Sequence, residues 1–176
     1  MIRYIIPLIC FALFFMEPVF GLLSPLQFEG EYYYIVPRFL LMFLIFLSVF
    51  YDRKRAMILG LFFGLLYDVF YIDIIGLYSF LYPAMCLIAG TAAKNLHQNL
   101  PVATFLTIVL TALFEFILYL FFSLISLISM PLGTFFDARL VPTMIANSVF
   151  LVMLGWAFKY IIIARLNERG NRTGLL

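Results

Sequence analysis

The sequence predicts an all-α integral membrane protein, built as a bundle of six transmembrane helices. Of its 176 residues, 66% are hydrophobic and only 11% are charged, a composition that excludes an ordinary soluble domain. The apolar residues fall into six long runs, and about 20 apolar residues cross a bilayer as a helix. Short turns join the runs, so we expect consecutive helices to lie antiparallel to each other.

The six runs use most of the chain, so we expect a single transmembrane domain over residues 1–176. The first run is interpreted as an uncleaved span, because Glu17-Pro18 interrupts it and no small-residue cleavage site follows. The third run is short and needs the residues after Phe70 to reach the outer surface. The fifth is long enough to require a tilt or a break. The predicted spans are about residues 4–23, 35–51, 56–72, 77–93, 101–128 and 141–164.

The basic residues predict the orientation of the bundle. If both termini lie in the cytoplasm, nine of the eleven basic residues are on the inner side and only Arg38 and Arg139 are outside. Because inner loops carry the excess of Lys and Arg, this pattern predicts an N-in, C-in path, which an even number of spans also requires. The nine are Arg3, Arg53, Lys54, Arg55, Lys94, Lys159, Arg165, Arg169 and Arg172.

The segments between the runs are interpreted as turns and loops. The inner turn Asp52-Arg53-Lys54-Arg55 is a topology determinant that also contacts lipid headgroups. His97 is the only histidine, falls in the other inner turn, and is expected to be solvated. The outer segments 24–34 and 129–140 are predicted as loops, the first ending in three tyrosines typical of an interfacial aromatic belt. The tail from Arg165 onward is too short to fold alone.

Five ionisable residues interrupt or border the apolar runs. Each costs roughly 2.5–3.5 kcal/mol or more in hydrocarbon, so each must face another polar group, a water-filled cavity or a partner. At about 1.5 Å per residue, the three acids lie about 18–21 Å from the inner ends of their spans, while the two arginines begin their spans from outside. We therefore expect all five in one layer of the outer half: Glu17, Arg38, Asp68, Glu115 and Arg139.

Small and polar residues also form stripes on three of the predicted helices. Gly60, Gly64 and Asp68 follow an i, i+4, i+8 spacing, and Gly-x-x-x-Gly lets another helix approach closely. Together with Gly76, they are the predicted helix-packing and partner-binding residues. The polar network is open to three interpretations: a lock between helices, a groove for a partner, or an outward-facing pocket for a small ligand. The other two stripes are Thr107, Thr111, Glu115 and Tyr119 on the fifth span and Arg139, Thr143 and Asn147 on the sixth.

The sequence contains no pattern typical of an enzyme. It has neither the Gly-x-Ser-x-Gly motif of a serine protease nor a zinc or nucleotide-binding motif, and its one histidine, His97, falls outside the apolar runs. Cys10 and Cys86 lie far apart within apolar runs and are expected to be packed thiols. We expect no catalytic residue, no metal site and no cofactor.

Several of these residues also occur together in a known family. Their pattern resembles that of MreD, the rod-shape-determining membrane protein, over essentially the whole chain and in a form similar to the Firmicute branch. The matching segments are Glu17-Pro18, Val36-Pro37-Arg38-Phe39-Leu40, Gly60 to Asp68 with Gly76-Leu77-Tyr78, Glu115, and Asp137-Ala138-Arg139 with Pro142.

The resemblance implies a non-enzymatic scaffold in the cytoplasmic membrane of a bacterium. It implies binding to the single-span protein MreC and an indirect link to the actin-like MreB, to RodA and to a class B penicillin-binding protein, with no nucleic-acid partner. It further implies a fold similar to the six-helix substrate-binding component of energy-coupling-factor transporters. That similarity leaves one alternative, the substrate-binding component of a vitamin-type transporter.

Overall fold

The computed structural model describes residues 4–28, 30–95 and 99–173 of the chain. Over these residues the protein is helical nearly throughout, in agreement with the predicted all-helical class. The positions expected for Arg3 and His97, and the side chains of Arg169 and Arg172, lie outside what the structure describes.

Seven α-helices form the described structure. The third continues into a π-helical turn at Asp68–Ile72, and the sixth continues through another, Phe136–Leu140, directly into the seventh. The helices are α1 (Ile5–Gly21), α2 (Phe39–Phe50), α3 (Arg53–Tyr67), α4 (Leu77–Asn95), α5 (Leu100–Leu124), α6 (Leu132–Phe135) and α7 (Val141–Thr173).

Three helical stretches in the described part of the chain are long and apolar enough to cross a membrane. They are Arg53–Ile72, Leu100–Leu124 and Leu132–Leu166. Two further apolar helices are shorter, Ile5–Gly21 and Phe39–Phe50. The long apolar helices agree with the membrane protein that the composition predicts.

The outer segment between α1 and α2 contains a small antiparallel hairpin in place of the predicted loop. Strands β1 (Leu26–Phe28) and β2 (Glu31–Tyr33) pair so that Leu26 lies opposite Tyr33. Gly30 has a φ of 87°, a left-handed conformation that glycine adopts easily and that suits a tight turn. Directly after β2, the Tyr34 N–H donates to the carbonyl of Ala138 at 2.7 Å. The hairpin corrects the predicted loop and leaves the all-helical class unchanged.

Helix α2 occupies the centre of the molecule. All twelve of its residues are buried, and it packs against α1, α3, α4, α5 and α7. It begins at Phe39, four residues later than the predicted span, because Pro37 disfavours helical geometry at the residue before it and Arg38 has φ −130° and ψ 43°. The chain thus enters the centre of the bundle through residues 35–38, which are neither helix nor strand.

Two segments that the sequence analysis assigned to a loop and a free tail are helical. Helix α6 and its π-turn replace most of the predicted loop 129–140, and α7 continues past Arg165 to Thr173. The π-turn ends two residues before Pro142, which has no N–H to donate to the turn before it. Residues 132–173 therefore form one continuous helical element.

Candidate functional site

Glu115 joins two arginines from opposite ends of the sequence. Its Oε1 accepts from Arg38 Nε at 2.5 Å, and its Oε2 lies 3.4 Å from Arg139 Nη2. The Arg38 and Glu115 side chains are 6% and 0% exposed, whereas that of Arg139 is 27% exposed. One carboxylate on α5 therefore connects the start of α2 with the turn that leads into α7.

Asn147 on α7 satisfies the non-helical backbone around Arg38. Its Oδ1 accepts from the Arg38 N–H, and its Nδ2 donates to the Val36 carbonyl, both at 2.9 Å. Thr143, one turn earlier, accepts from the Val36 N–H at 3.1 Å. Because a buried backbone group without a partner is costly, these side chains make the non-helical entry to α2 possible.

The guanidinium of Arg38 is also enclosed by aromatic rings. Its central carbon lies 5.1 Å from the ring centre of Phe114 and 5.5 Å from that of Tyr78, within the range of a cation–π contact. The rings cover the faces of the guanidinium, while Glu115 takes its edge. Arg38 is therefore held by side chains from two helices, since Tyr78 is on α4 and both Phe114 and Glu115 are on α5.

Glu17 is placed at the first turn of α2. Its carboxylate accepts from the Leu40 N–H at 2.7 Å and from the hydroxyl of Tyr67. A carboxylate at this position satisfies a free N–H of the helix and interacts favourably with the helix dipole. Glu17 thus ties α1 to the beginning of α2 and to the end of α3.

A cavity of about 360 Å³ lies beside this cluster. Its walls come from the end of α1, the non-helical segment 35–38, the end of α3 and the start of α4, and its polar lining includes Glu17, Arg38 and Arg139. Within the described residues, the Nε of Arg139 is buried and has no hydrogen-bond partner. The cavity is therefore the place where a small polar molecule would meet the cluster.

Asp68 has a different environment from the other four ionisable residues. It is fully buried and accepts hydrogen bonds from the N–H groups of Gly76, Tyr78 and Ser79 at 3.0, 2.7 and 3.0 Å. These are free donors at the start of α4. Gly76 has a φ of 112°, which glycine tolerates. Asp68 therefore closes the connection from α3 to α4. By contrast, Glu17, Arg38 and Arg139 line the cavity, and Glu115 contacts both of these arginines.

Gly60 and Gly64 face α4, so the close approach predicted from their spacing is occupied by the chain itself. A Cβ at Gly64 would lie 2.5 Å from the Tyr78 carbonyl oxygen and 2.7 Å from the Ser79 Cα. At Gly60 the nearest backbone atoms, of Pro83 and Tyr82, would be 3.3 Å away. The contact between α3 and α4 is the most extensive between any two helices of the described chain.

The basic turn lies at the opposite end of the bundle from the cavity. The Asp52 carboxylate accepts from the Lys54 N–H at 2.9 Å and begins α3. Arg53 donates to Thr91 at 3.2 Å, and Arg55 donates to the Tyr51 hydroxyl at 2.9 Å. The three basic side chains therefore differ in their contacts, since Arg53 and Arg55 each donate a hydrogen bond to a neighbouring side chain.

Sequence reasoning missed two residues of the cluster. Tyr67, which donates to Glu17, was not distinguished from the many other tyrosines of the chain. Ser24 accepts from the Ile35 N–H at 2.9 Å and so holds the hairpin against the entry to α2. No pattern in the sequence marks either residue, because both contacts join segments that only the folded chain brings together.

Comparison with known proteins identifies the family. The profile described as "rod shape-determining protein MreD" matches residues 1–163.

This chain belongs to the MreD family.

A curated relative supports the same assignment. The chain is 32% identical over 166 residues to the rod shape-determining protein MreD of Bacillus subtilis (strain 168). The matched region covers 94% of this chain and 96% of that protein. No solved structure matches the chain. As a member of the MreD family, it is a rod shape-determining, membrane-associated protein, and this family is not known as an enzyme family.

Proposed function

We propose that this MreD-family protein is a non-enzymatic scaffold of the cell-elongation complex, spanning the bacterial cytoplasmic membrane six times with both termini inside. In this proposal it binds the transmembrane and juxtamembrane segment of MreC. Through MreC it helps couple MreB filaments to lateral peptidoglycan synthesis by RodA and a class B penicillin-binding protein.

The main support for the proposal is that the buried charged side chains connect elements of the bundle. Glu115 connects two arginines, Glu17 holds the start of α2, and Asp68 holds the start of α4. Each contact joins two elements of the bundle, which is the arrangement expected of a rigid docking partner.

The central helix supports the six-span topology. Twelve residues cover about 18 Å at 1.5 Å per residue, less than the roughly 30 Å of a hydrocarbon core. The non-helical residues 35–38 add to this length, and Asn147 and Thr143 satisfy backbone groups of Val36 and Arg38. Irregular backbone of this kind is tolerated within a membrane where protein encloses it.

Capture of MreC tests the proposal. We expect MreC from the same organism to co-purify with the wild-type protein in mild detergent, and less of it with Gly64→Leu or Asp68→Ala. In this proposal both substitutions act by displacing α4 from α3, and Gly133→Ala, where a Cβ meets no atom within 4 Å, is the control. Unchanged capture by both variants would remove α3 and α4 from the binding surface. Absence of any complex with the wild type would refute the scaffold.

One observation favours a second candidate function, the substrate-binding component of a vitamin-type transporter. The 360 Å³ cavity has polar walls, and the buried Arg139 Nε beside it is unpaired among the described residues. Pockets of roughly 300–1,000 Å³ hold small ligands. Mass spectrometry of the purified protein distinguishes the two functions: a vitamin-sized compound bound without MreC would support transport.

A further inference from the structure

A second cavity lies at the end of the bundle that carries the basic turn. It has a volume of about 280 Å³ and is lined by four helices, α1, α2, α3 and α7. Its apolar walls include Ile6 and Pro7 from α1, Leu47 from α2 and Leu59 from α3. We refer to it as the inner cavity, because the proposed orientation places this end in the cytoplasmic leaflet.

Two arginines from different helices line the inner cavity. Arg55 comes from the first turn of α3 and Arg165 from the last part of α7, and Arg165 is only 9% exposed. Tyr51 also lines the cavity, and its hydroxyl accepts from Arg55 Nη1 at 2.9 Å. An aliphatic cavity with two guanidinium groups in its lining matches a molecule that has both an anionic and an apolar part.

The charges around the cavity agree with this. Asp52 lies 3.7 Å from Arg55, Arg53 and Lys54 belong to the same turn as Arg55, and Arg165 lines the cavity from α7. Arginine binds phosphate through paired N–H donors and is less strongly hydrated than lysine, so it suits a partly buried phosphate site. Basic pockets between transmembrane helices on the cytoplasmic side are typical of anionic lipid sites.

We propose that the inner cavity binds one anionic phospholipid of the cytoplasmic leaflet, with its phosphate between Arg55 and Arg165 and the start of its acyl chains against Ile6, Leu47 and Leu59. The volume accommodates a headgroup region and not a whole lipid, so the rest of the chains lies along the outside of α1 and α3. This proposal rests on the orientation given above and not on binding to MreC.

Native mass spectrometry of the full-length protein with added dioleoyl phosphatidylglycerol tests the site. We expect one tightly retained lipid, and phosphatidylcholine with the same chains retained far less. Arg55→Gln and Arg165→Gln should each lower retention about fivefold. Lys54→Gln is the matched control, since it removes the same charge from the same turn at a residue that does not line the cavity.

A second variant covers the case in which an arginine variant does not fold. Ile58 lines the cavity and is 66% exposed, so Ile58→Trp should obstruct the cavity without a change in charge and lower retention. An equal loss with Lys54→Gln would mean a diffuse basic surface, and equal retention of phosphatidylcholine would mean an apolar groove only. Full competition by inorganic phosphate would mean a simple anion site. Each of these results overturns the proposal, and MreC capture, measured separately, is unaffected by them.

Discussion

Replacement of Gly64 by alanine is the sharpest test of how the bundle is packed. The added Cβ would lie 2.5–2.7 Å from backbone atoms of Tyr78 and Ser79, whereas non-bonded carbon contacts are comfortable at about 3.5–4.0 Å. Because these neighbours are backbone, no side chain can rotate away, and α4 must move by about 1 Å. We expect such overpacking to lower the free energy of unfolding by about 1–3 kcal/mol, even though alanine itself favours a helix.

Two other glycines make the measurement decisive. At Gly60 the added Cβ meets backbone at 3.3 Å, so a small adjustment suffices and the gain of about 1 kcal/mol in helix propensity offsets it. At Gly133 nothing lies within 4 Å, so alanine there should not destabilise. The assay is equilibrium unfolding in detergent, followed by circular dichroism. If Gly64→Ala proves as stable as Gly60→Ala, the close contact between α3 and α4 is not as described.

Four further changes test the polar cluster and Asp68 by the same unfolding assay. Glu115→Gln leaves the buried Arg38 without its counter-charge and should lower the free energy of unfolding by about 3–5 kcal/mol. Arg139→Gln should lower it by about 1 kcal/mol or less, because the Arg139 side chain is 27% exposed. Equal losses in the two variants would contradict the difference in burial. Asp68→Asn retains one acceptor for three N–H groups and should lose about 1–3 kcal/mol, with faster hydrogen exchange at the start of α4 as its specific sign. Asn147→Leu leaves the Arg38 N–H unpaired and should lose a similar amount, and a neutral result would mean that the non-helical entry to α2 is held in another way.

The sequence was most informative about how deep the ionisable residues lie along the predicted spans. Because hydrocarbon disfavours charge, five ionisable residues could be grouped by their distance along the predicted spans. In the structure, Glu17, Arg38 and Arg139 line one cavity and Glu115 contacts both arginines, whereas Asp68 binds the start of α4. What each of them does for partner binding stays a prediction. The close helix contact at Gly60 and Gly64 was also expected from their spacing, but the sequence does not say which helix fills it.

Other features were beyond the reach of sequence patterns for physical reasons. Lipid tails and protein interiors are equally apolar, so hydrophobicity does not reveal that α2 is enclosed by the rest of the bundle. The role of Asp68 depends on a turn that returns the chain to its carboxylate eight to eleven residues later, and its depth suggested a long-range partner instead. The hairpin is only three residues per strand, too short for alternation to be recognised.

The enclosure of α2 has a consequence for how the protein is made. It is the second helix to be synthesised, yet four of the helices that surround it, α3, α4, α5 and α7, are made later. All residues of α2 except Ser48 are apolar, so lipid can solvate the helix until the later helices are made. Lipid does not solvate the charge of Arg38, and its partner Glu115 is made only with α5. The chain therefore completes its central charge pair late, and the last steps of assembly replace lipid around α2 with protein.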